Sequence, residues 1–146
     1  EWFSGPLLLS GSIANGGAVL AAQAMGADLA YIGSAFIATN EANADQRYKE
    51  MITESSADEI VYTNLFTGVH GHYLRGSIVA QGLDPDNLEV SDSSKMNFSS
   101  GTSKPKSWKE IWGSGQGISA VKSIMPAGEL VKRINREYIE AKSKLI

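Results

Sequence analysis

The sequence has no cysteine among its 146 residues, which rules out disulfides, thiolate metal sites and a cysteine nucleophile and accords with a reducing compartment. Positive charge is not in excess: 13 Lys+Arg stand against 16 Asp+Glu, a formal charge of -3. No basic surface is therefore expected to follow a nucleic-acid backbone, and nucleic acid is not an expected partner. No apolar run approaches the roughly 20 residues that cross a bilayer, so no membrane partner is expected either. The first residues, Glu1-Trp2-Phe3-Ser4-Gly5, carry no basic region of a signal peptide. Without a Met, and with an apolar strand following almost at once, they predict a piece of a longer chain. A cytoplasmic, soluble globular protein is the expectation, since 42% hydrophobic residues are enough for a packed core.

Glycine, by contrast, is plentiful and placed with a pattern. Pro6-Leu7-Leu8-Leu9 is a short apolar run ending at Ser10-Gly11, as a strand buried on both faces of a parallel sheet would read. Asn15-Gly16-Gly17 opens an Ala-rich helix from Ala18 to Met25, which Gly26 can end in the left-handed conformation. Ala27 to Ile32 reads as a second buried strand, ending at Gly33-Ser34. One βαβ unit with a right-handed crossover brings both Gly/Ser turns to the same edge of the sheet.

Those turns, with a short helix expected over Ala35 to Ala38, offer backbone N–H groups with no side chain in the way, and the arrangement describes an anion site suited to phosphate. A single glycine turn would be read as a tight βα connection; two of them, one crossover apart, favour the anion site. In (β/α)8 barrels the same description fits the loops after strands 7 and 8. Two other phosphate motifs fail. Gly17 and Ala18 stand where a P-loop requires Lys and Ser/Thr, and Ser12-Ile13 and Gly33 break the dinucleotide-binding fingerprint and its terminal acid.

Further along, a helix is expected around Asp45 to Glu54, and the pattern from Asp58 to Ala80 is mixed, with Tyr62 to Gly68 readable as a strand or a helix entry. Leu83 to Lys106, with Asp84-Pro85-Asp86 and a Ser-rich stretch, reads as a long exposed loop. Ser107 to Trp112 predicts a turn of helix stopped at Gly113. Leu130, Val131, Ile134, Tyr138, Ala141 and Leu145 mark an amphipathic C-terminal helix starting near Pro126.

Three stretches together are similar to one family. Leu9-Ser10-Gly11-Ser12-Ile13-Ala14-Asn15-Gly16, Ala24-Met25-Gly26-Ala27-Asp28 and Ile32-Gly33-Ser34-Ala35-Phe36-Ile37-Ala38-Thr39-Asn40-Glu41 resemble the seventh and eighth strands of nitronate monooxygenases, formerly 2-nitropropane dioxygenases. Flavin-dependent enoyl-acyl-carrier-protein reductases share the pattern. Trp112-Gly113-Ser114-Gly115-Gln116-Gly117 resembles a later family segment that returns to the flavin. Ser12 replaces a usual Gly, and Ser34 a usual Thr.

The resemblance implies an α/β fold, the C-terminal portion of a (β/α)8 TIM barrel with strands 7 and 8 and an inserted, mostly helical substrate-side segment. It divides the chain into barrel units (1–57), the insertion (58–107) and a return segment with the C-terminal helix (108–146). It implies FMN, its phosphate held by Gly11, Ser12, Gly33 and Ser34, with Ser10 lining the approach and Gln116 a polar contact near the isoalloxazine or substrate. It also implies a small-molecule substrate, an alkyl nitronate, oxidised with O2, and the remaining N-terminal part of the same barrel as partner. Enoyl reduction is the alternative within flavoenzymes, and a barrel binding a substrate phosphate the alternative outside them. The catalytic base in many family members is a His on an earlier strand, outside this sequence.

His70 and His72, the only two histidines, alternate along an extended segment and could present two metal ligands, but no third is evident. No metal is expected, and the pair reads as solvated or hydrogen-bonded, with a substrate-facing lid as the alternative. Trp108 and Trp112 read as packing residues, and Arg75 and Lys95 as solvated cations able to attract an anionic substrate.

Overall fold

A computed structural model describes residues 3–91 and 110–145; Lys95, Trp108 and most of the Ser-rich stretch lie outside them. The chain opens with the expected βαβ unit. Strand β1 (Leu8–Ser10) pairs in parallel with β2 (Leu29–Tyr31), in the register Leu8 to Leu29, Leu9 to Ala30 and Ser10 to Tyr31. Helix α1 (Gly16–Ala24) makes the crossover. It starts two residues earlier than Ala18 because Asn15 caps it, its side chain accepting from Ala18 N–H at 2.8 Å. Gly26 ends the turn beyond it at φ +92°, the left-handed conformation its sequence position suggested.

Within the described residues only one face of the strands is covered. Leu9 and Ala30 pack with Ile13, Ala22 and Ala27 beneath α1, whereas Leu8, Leu29 and Tyr31 are 51%, 56% and 60% exposed. Side chains alternate along a strand, so one face of the two-stranded sheet is covered by the crossover helix and the other is apolar and open.

After the four-residue helix α2 (Ser34–Ile37), α3 (Gln46–Glu54) is capped by Asp45, which accepts from Arg47 N–H at 2.9 Å. The next segment departs from the expected mostly helical insertion. A short 3-10 turn (Ala57–Glu59) leads into an antiparallel hairpin, β3 (Ile60–Thr63) against β4 (Gly71–Leu74), and only then into helix α4 (Arg75–Ala80). The β-branched and aromatic run Ile60-Val61-Tyr62-Thr63 favours a pleated strand, and Gly68 at φ +78° helps turn the chain back. Nor is Trp112 helical: Trp112 to Ser114 runs alongside β4, with Leu74 N–H donating to Trp112 O at 2.8 Å and Ser114 N–H to His72 O at 3.1 Å. A 3-10 turn (Gln116–Ala120) and the C-terminal helix α5 (Ala127–Ser143), with Pro126 at its cap, complete the chain.

The main core gathers Ala14, Ala35, Ala38, Ile52, Leu74, Ile118, Val121 and Leu130, while the βαβ unit packs around Ile13, Ala22 and Ala27 and the hairpin with α4 around Phe66, Ile78 and Ile111. Within α5, Leu130 is buried and Ile134 packs on the main core, whereas Val131 of the expected apolar stripe is exposed, as is Leu145 just beyond the helix. Among the described residues no helix is long and apolar enough to cross a membrane.

Helix α1 meets α5 backbone to backbone. A methyl group on the buried Gly16 would lie 2.1 Å from Tyr138 N and 2.2 Å from Ile134 O, atoms of a rigid helix that cannot step aside. Gly16→Ala should therefore cost at least the ~1–3 kcal/mol typical of overpacking. The check is the unfolding midpoint of the purified protein, which should fall by several degrees; an unchanged midpoint would contradict this packing.

Candidate functional site

The two Gly/Ser turns meet. Ser10, Gly11, Ser12, Gly33 and Ser34 all line one open concavity of about 200 Å3, joined by Tyr31, Gly115 and Gly117. Gly11 turns the chain at φ +113° and Ser12 follows at φ +53°, the only non-glycine residue in that region among the described residues. The turn they make brings the backbone of residues 11 and 12 to the edge of the concavity, and successive N–H groups in a turn are suited to an anion. Among the described residues, the N–H groups of Gly11, Ser12, Gly33 and Ser34 find no acceptor outside the regular strands and helices.

The N-terminus of α1, by contrast, is already occupied. Asn15 accepts from Ala18 N–H, and Glu137 Oε2 accepts from Gly16 N–H at 2.9 Å. Gly16 and Ala18 N–H are thus spent on the protein, and none of Gly16, Gly17 and Ala18 lines the concavity, whose backbone donors come from the two turns and the return segment.

Glycines at the site fall into two kinds. A Cβ on Gly117 would lie 2.9 Å from the carbonyl carbon and oxygen of Ser12, so Gly117 is required for the return segment to lie on the first turn. A Cβ on Gly33 would meet nothing within 4 Å, and Gly33 sits at φ -103°, ψ -74°, a backbone any residue can adopt. The described protein thus gives no reason for glycine at 33; free space over the turn is what its missing side chain provides.

Ser34 does more than offer a backbone donor. Its Oγ accepts from Gly115 N–H at 2.9 Å and from the Ser114 hydroxyl at 3.2 Å, tying the return segment to the second turn. Gln116 lies between the two lining glycines but is exposed and outside the lining itself. Sequence reading singled out Gln116 and passed over Gly115 and Gly117, although Gly at 113, 115 and 117 is a visible alternation.

Trp112 supports this segment by packing, as its sequence context suggested. Its ring stacks on Tyr48 at 5.1 Å and 13°, with the Arg47 guanidinium 5.7 Å above it, and the main-chain N–H of Trp112 donates to Ser77 Oγ at 3.0 Å. The Tyr48 hydroxyl donates to Gly113 O; burial pushes that phenol upward, so it remains a proton donor.

The remaining candidates lie elsewhere. Tyr62 stacks on His70 with ring centroids 4.8 Å apart and meets His72 at a 37° tilt with centroids 4.9 Å apart, all three exposed on the hairpin. Among the described residues no group of three or more His, Cys, Asp or Glu side chains could hold a metal ion. Arg75 is not a lone cation: it grips Asp86 through both terminal nitrogens at 2.8 and 2.7 Å, which holds that carboxyl below its usual range.

Comparison with known proteins converges on one family. The family model described as nitronate monooxygenase matches residues 3–137. The chain is 27% identical to a nitronate monooxygenase of Paraburkholderia phytofirmans over 96% of its own length and 40% of the relative's. It is 25% identical to a probable nitronate monooxygenase of Staphylococcus saprophyticus over 92% and 39%. It therefore spans about 40% of the length of these curated relatives. Among solved structures, a nitroalkane oxidase from Streptomyces ansochromogenes shares its fold with TM-score 0.72 and 23% identity, over 99% of this chain and 42% of the other. A FabK M276A mutant from Thermotoga maritima does so with TM-score 0.70 and 23% identity, over 98% and 44%.

Holding a side chain in the left-handed region costs on the order of 1–2 kcal/mol, part of which glycine's greater chain entropy would offset. Ser12→Gly should therefore stabilise the protein by about 0.5–1 kcal/mol, seen as a higher denaturant midpoint at unchanged slope. A lower midpoint would mean that the serine side chain is needed at this turn.

Proposed function

From the premise that the chain belongs to the nitronate monooxygenase family, we propose that it is the phosphate-binding part of an FMN-dependent oxidoreductase that oxidises alkyl nitronates with O2. In this reading β1 and β2 are strands 7 and 8 of a (β/α)8 barrel. Residues 1–57 supply its last strand-helix units, 58–107 cover the substrate side and 108–146 return to the flavin. The open apolar face of Leu8, Leu29 and Tyr31 is then the side that the rest of the barrel covers. The relatives' names favour a nitronate substrate.

The single observation that carries the proposal is the contrast between the packed glycines and Gly33. A cradle whose Gly33 faces open space, beside a Gly11-Ser12 turn with positive φ at both residues, fits a phosphate terminus. FMN, when bound, supplies the electron exchange between substrate and O2. The chain's own residues hold and orient it. N–H groups of Gly11, Ser12, Gly33 and Ser34 bind the phosphate, Ser10 lines the approach, and the Ser34 hydroxyl keeps Gly115 and Gly117 against the site. Gln116, on the rim, is a polar contact for the ring or the substrate. The proton-abstracting base belongs to an earlier strand.

Two substitutions test this in the complete protein. Gly33→Ala should leave the unfolding midpoint unchanged or slightly raised yet weaken FMN binding, because the methyl enters the cradle. Ser34→Asp sets a carboxylate beside the phosphate. At ~4 Å and an effective dielectric of about 20, two unit charges repel by ~4 kcal/mol, roughly a thousandfold in affinity. That protein should purify folded and without flavin colour. Wild-type FMN affinity in both variants would refute the site, and turnover of an enoyl thioester with a nicotinamide donor but not of a nitronate would refute the reaction.

A further inference from the structure

The loop that carries the first turn is gripped from the far end of the chain. Arg133 and Glu137 lie one turn apart on α5, with Nε and Oε1 3.4 Å apart and side chains only 17% and 31% exposed. Arg133 Nη2 donates to the carbonyl of Ala14 at 3.1 Å, across 119 residues of sequence. Glu137 Oε2 accepts from Gly16 N–H at 2.9 Å, across 121. One ion pair therefore holds the main chain on both sides of Asn15, and Ala14 is itself a wall of the concavity.

These contacts are more than helix-surface pairing. An exposed i, i+4 pair contributes little, and partial burial of both charges is unfavourable unless backbone groups complete their hydrogen bonding. Here Ala14 O and Gly16 N–H supply part of that bonding on either side of Asn15, while Arg133 Nε, 3.4 Å from Glu137 Oε1, is buried with no hydrogen bond of its own. The geometry depends on Gly16, whose missing side chain lets the α5 backbone come close enough for both side chains to reach. On the opposite side, Gly117 lies against Ser12. Residues 12–16 are thus held between two distant segments.

We propose that Arg133 and Glu137 are positioning residues for the phosphate turn: by fixing Ala14 and Gly16 they keep Gly11 and Ser12 in the left-handed geometry that aims their N–H groups at the flavin phosphate. The inference rests on the FMN reading above. Neither side chain touches the ligand; both act through the loop.

Comparing FMN with riboflavin, which lacks the phosphate, separates positioning from general packing. In the complete protein, Arg133→Ala and Glu137→Ala should each raise the FMN Kd by about 10- to 100-fold, the scale of a lost charge-assisted hydrogen bond. The riboflavin Kd should change by less than about threefold. Glu137→Gln keeps an acceptor for Gly16 N–H and should recover most of the FMN affinity. If the alanine variants do not fold, Arg133→Lys keeps the charge but not the planar reach to both partners, and should lower the FMN-to-riboflavin preference in the same way. Equal weakening of both ligands, or an unchanged preference, would overturn the positioning role. A wild-type protein with no preference for FMN over riboflavin would instead overturn the phosphate reading on which that role rests.

Discussion

Close backbone approach at two glycines is the constraint on which the rest of the structure depends. Gly16 lets α5 touch the start of α1, and Gly117 lets the return segment touch Ser12. Between these contacts a serine is kept in a backbone region that costs an L-residue on the order of 1–2 kcal/mol, which persists only where the surroundings over-determine it. Because the two clamps come from beyond residue 115, the turn after β1 is shaped only once the whole described chain has folded around it. The Ser34 hydroxyl, accepting from Ser114 and Gly115, ties the second turn to the same return segment. The two halves of the concavity are therefore coupled, although no residue of the first turn bonds directly to the second.

Much of this was legible locally, and what was missed is non-local. A Gly/Ser pair after an apolar run is a turn whatever surrounds it, so Gly11-Ser12 and Gly33-Ser34 could be read from adjacent residues. The period of Leu130, Ile134 and Tyr138 marked α5 for the same reason. Three features are not decided by local sequence. The β3–β4 hairpin lacks a two-residue Asn-Gly or Asp-Gly turn, and Ile60 to Thr63 is too short for periodicity to separate strand from helix. The outer face of β1 and β2 is as apolar as the inner one, so sequence could not tell a covered face from an open one. Nothing in the local sequence marks Arg133 and Glu137, whose targets lie more than a hundred residues away. Arg75 was misjudged likewise, since its partner Asp86 sits in a loop eleven positions on.

The site illustrates how a family fingerprint divides into separate physical demands. Gly117 and Gly16 answer to packing against this chain's own backbone, Gly11 to a positive φ, and Gly33 to neither. Family membership and the fold shared with the nitroalkane oxidase and FabK structures leave those demands undifferentiated. Only the last kind speaks of a ligand, which is why the functional reading leans on Gly33 rather than on the number of glycines.

The most direct measurement of the central claim is a crystal structure of the complete protein grown with FMN. The phosphate oxygens are expected about 2.7–3.2 Å from the backbone nitrogens of Gly11, Ser12, Gly33 and Ser34, with Ser12 still left-handed and Arg133 and Glu137 still on Ala14 and Gly16. A phosphate bound elsewhere, or held by side chains while these N–H groups face solvent, would contradict the assignment.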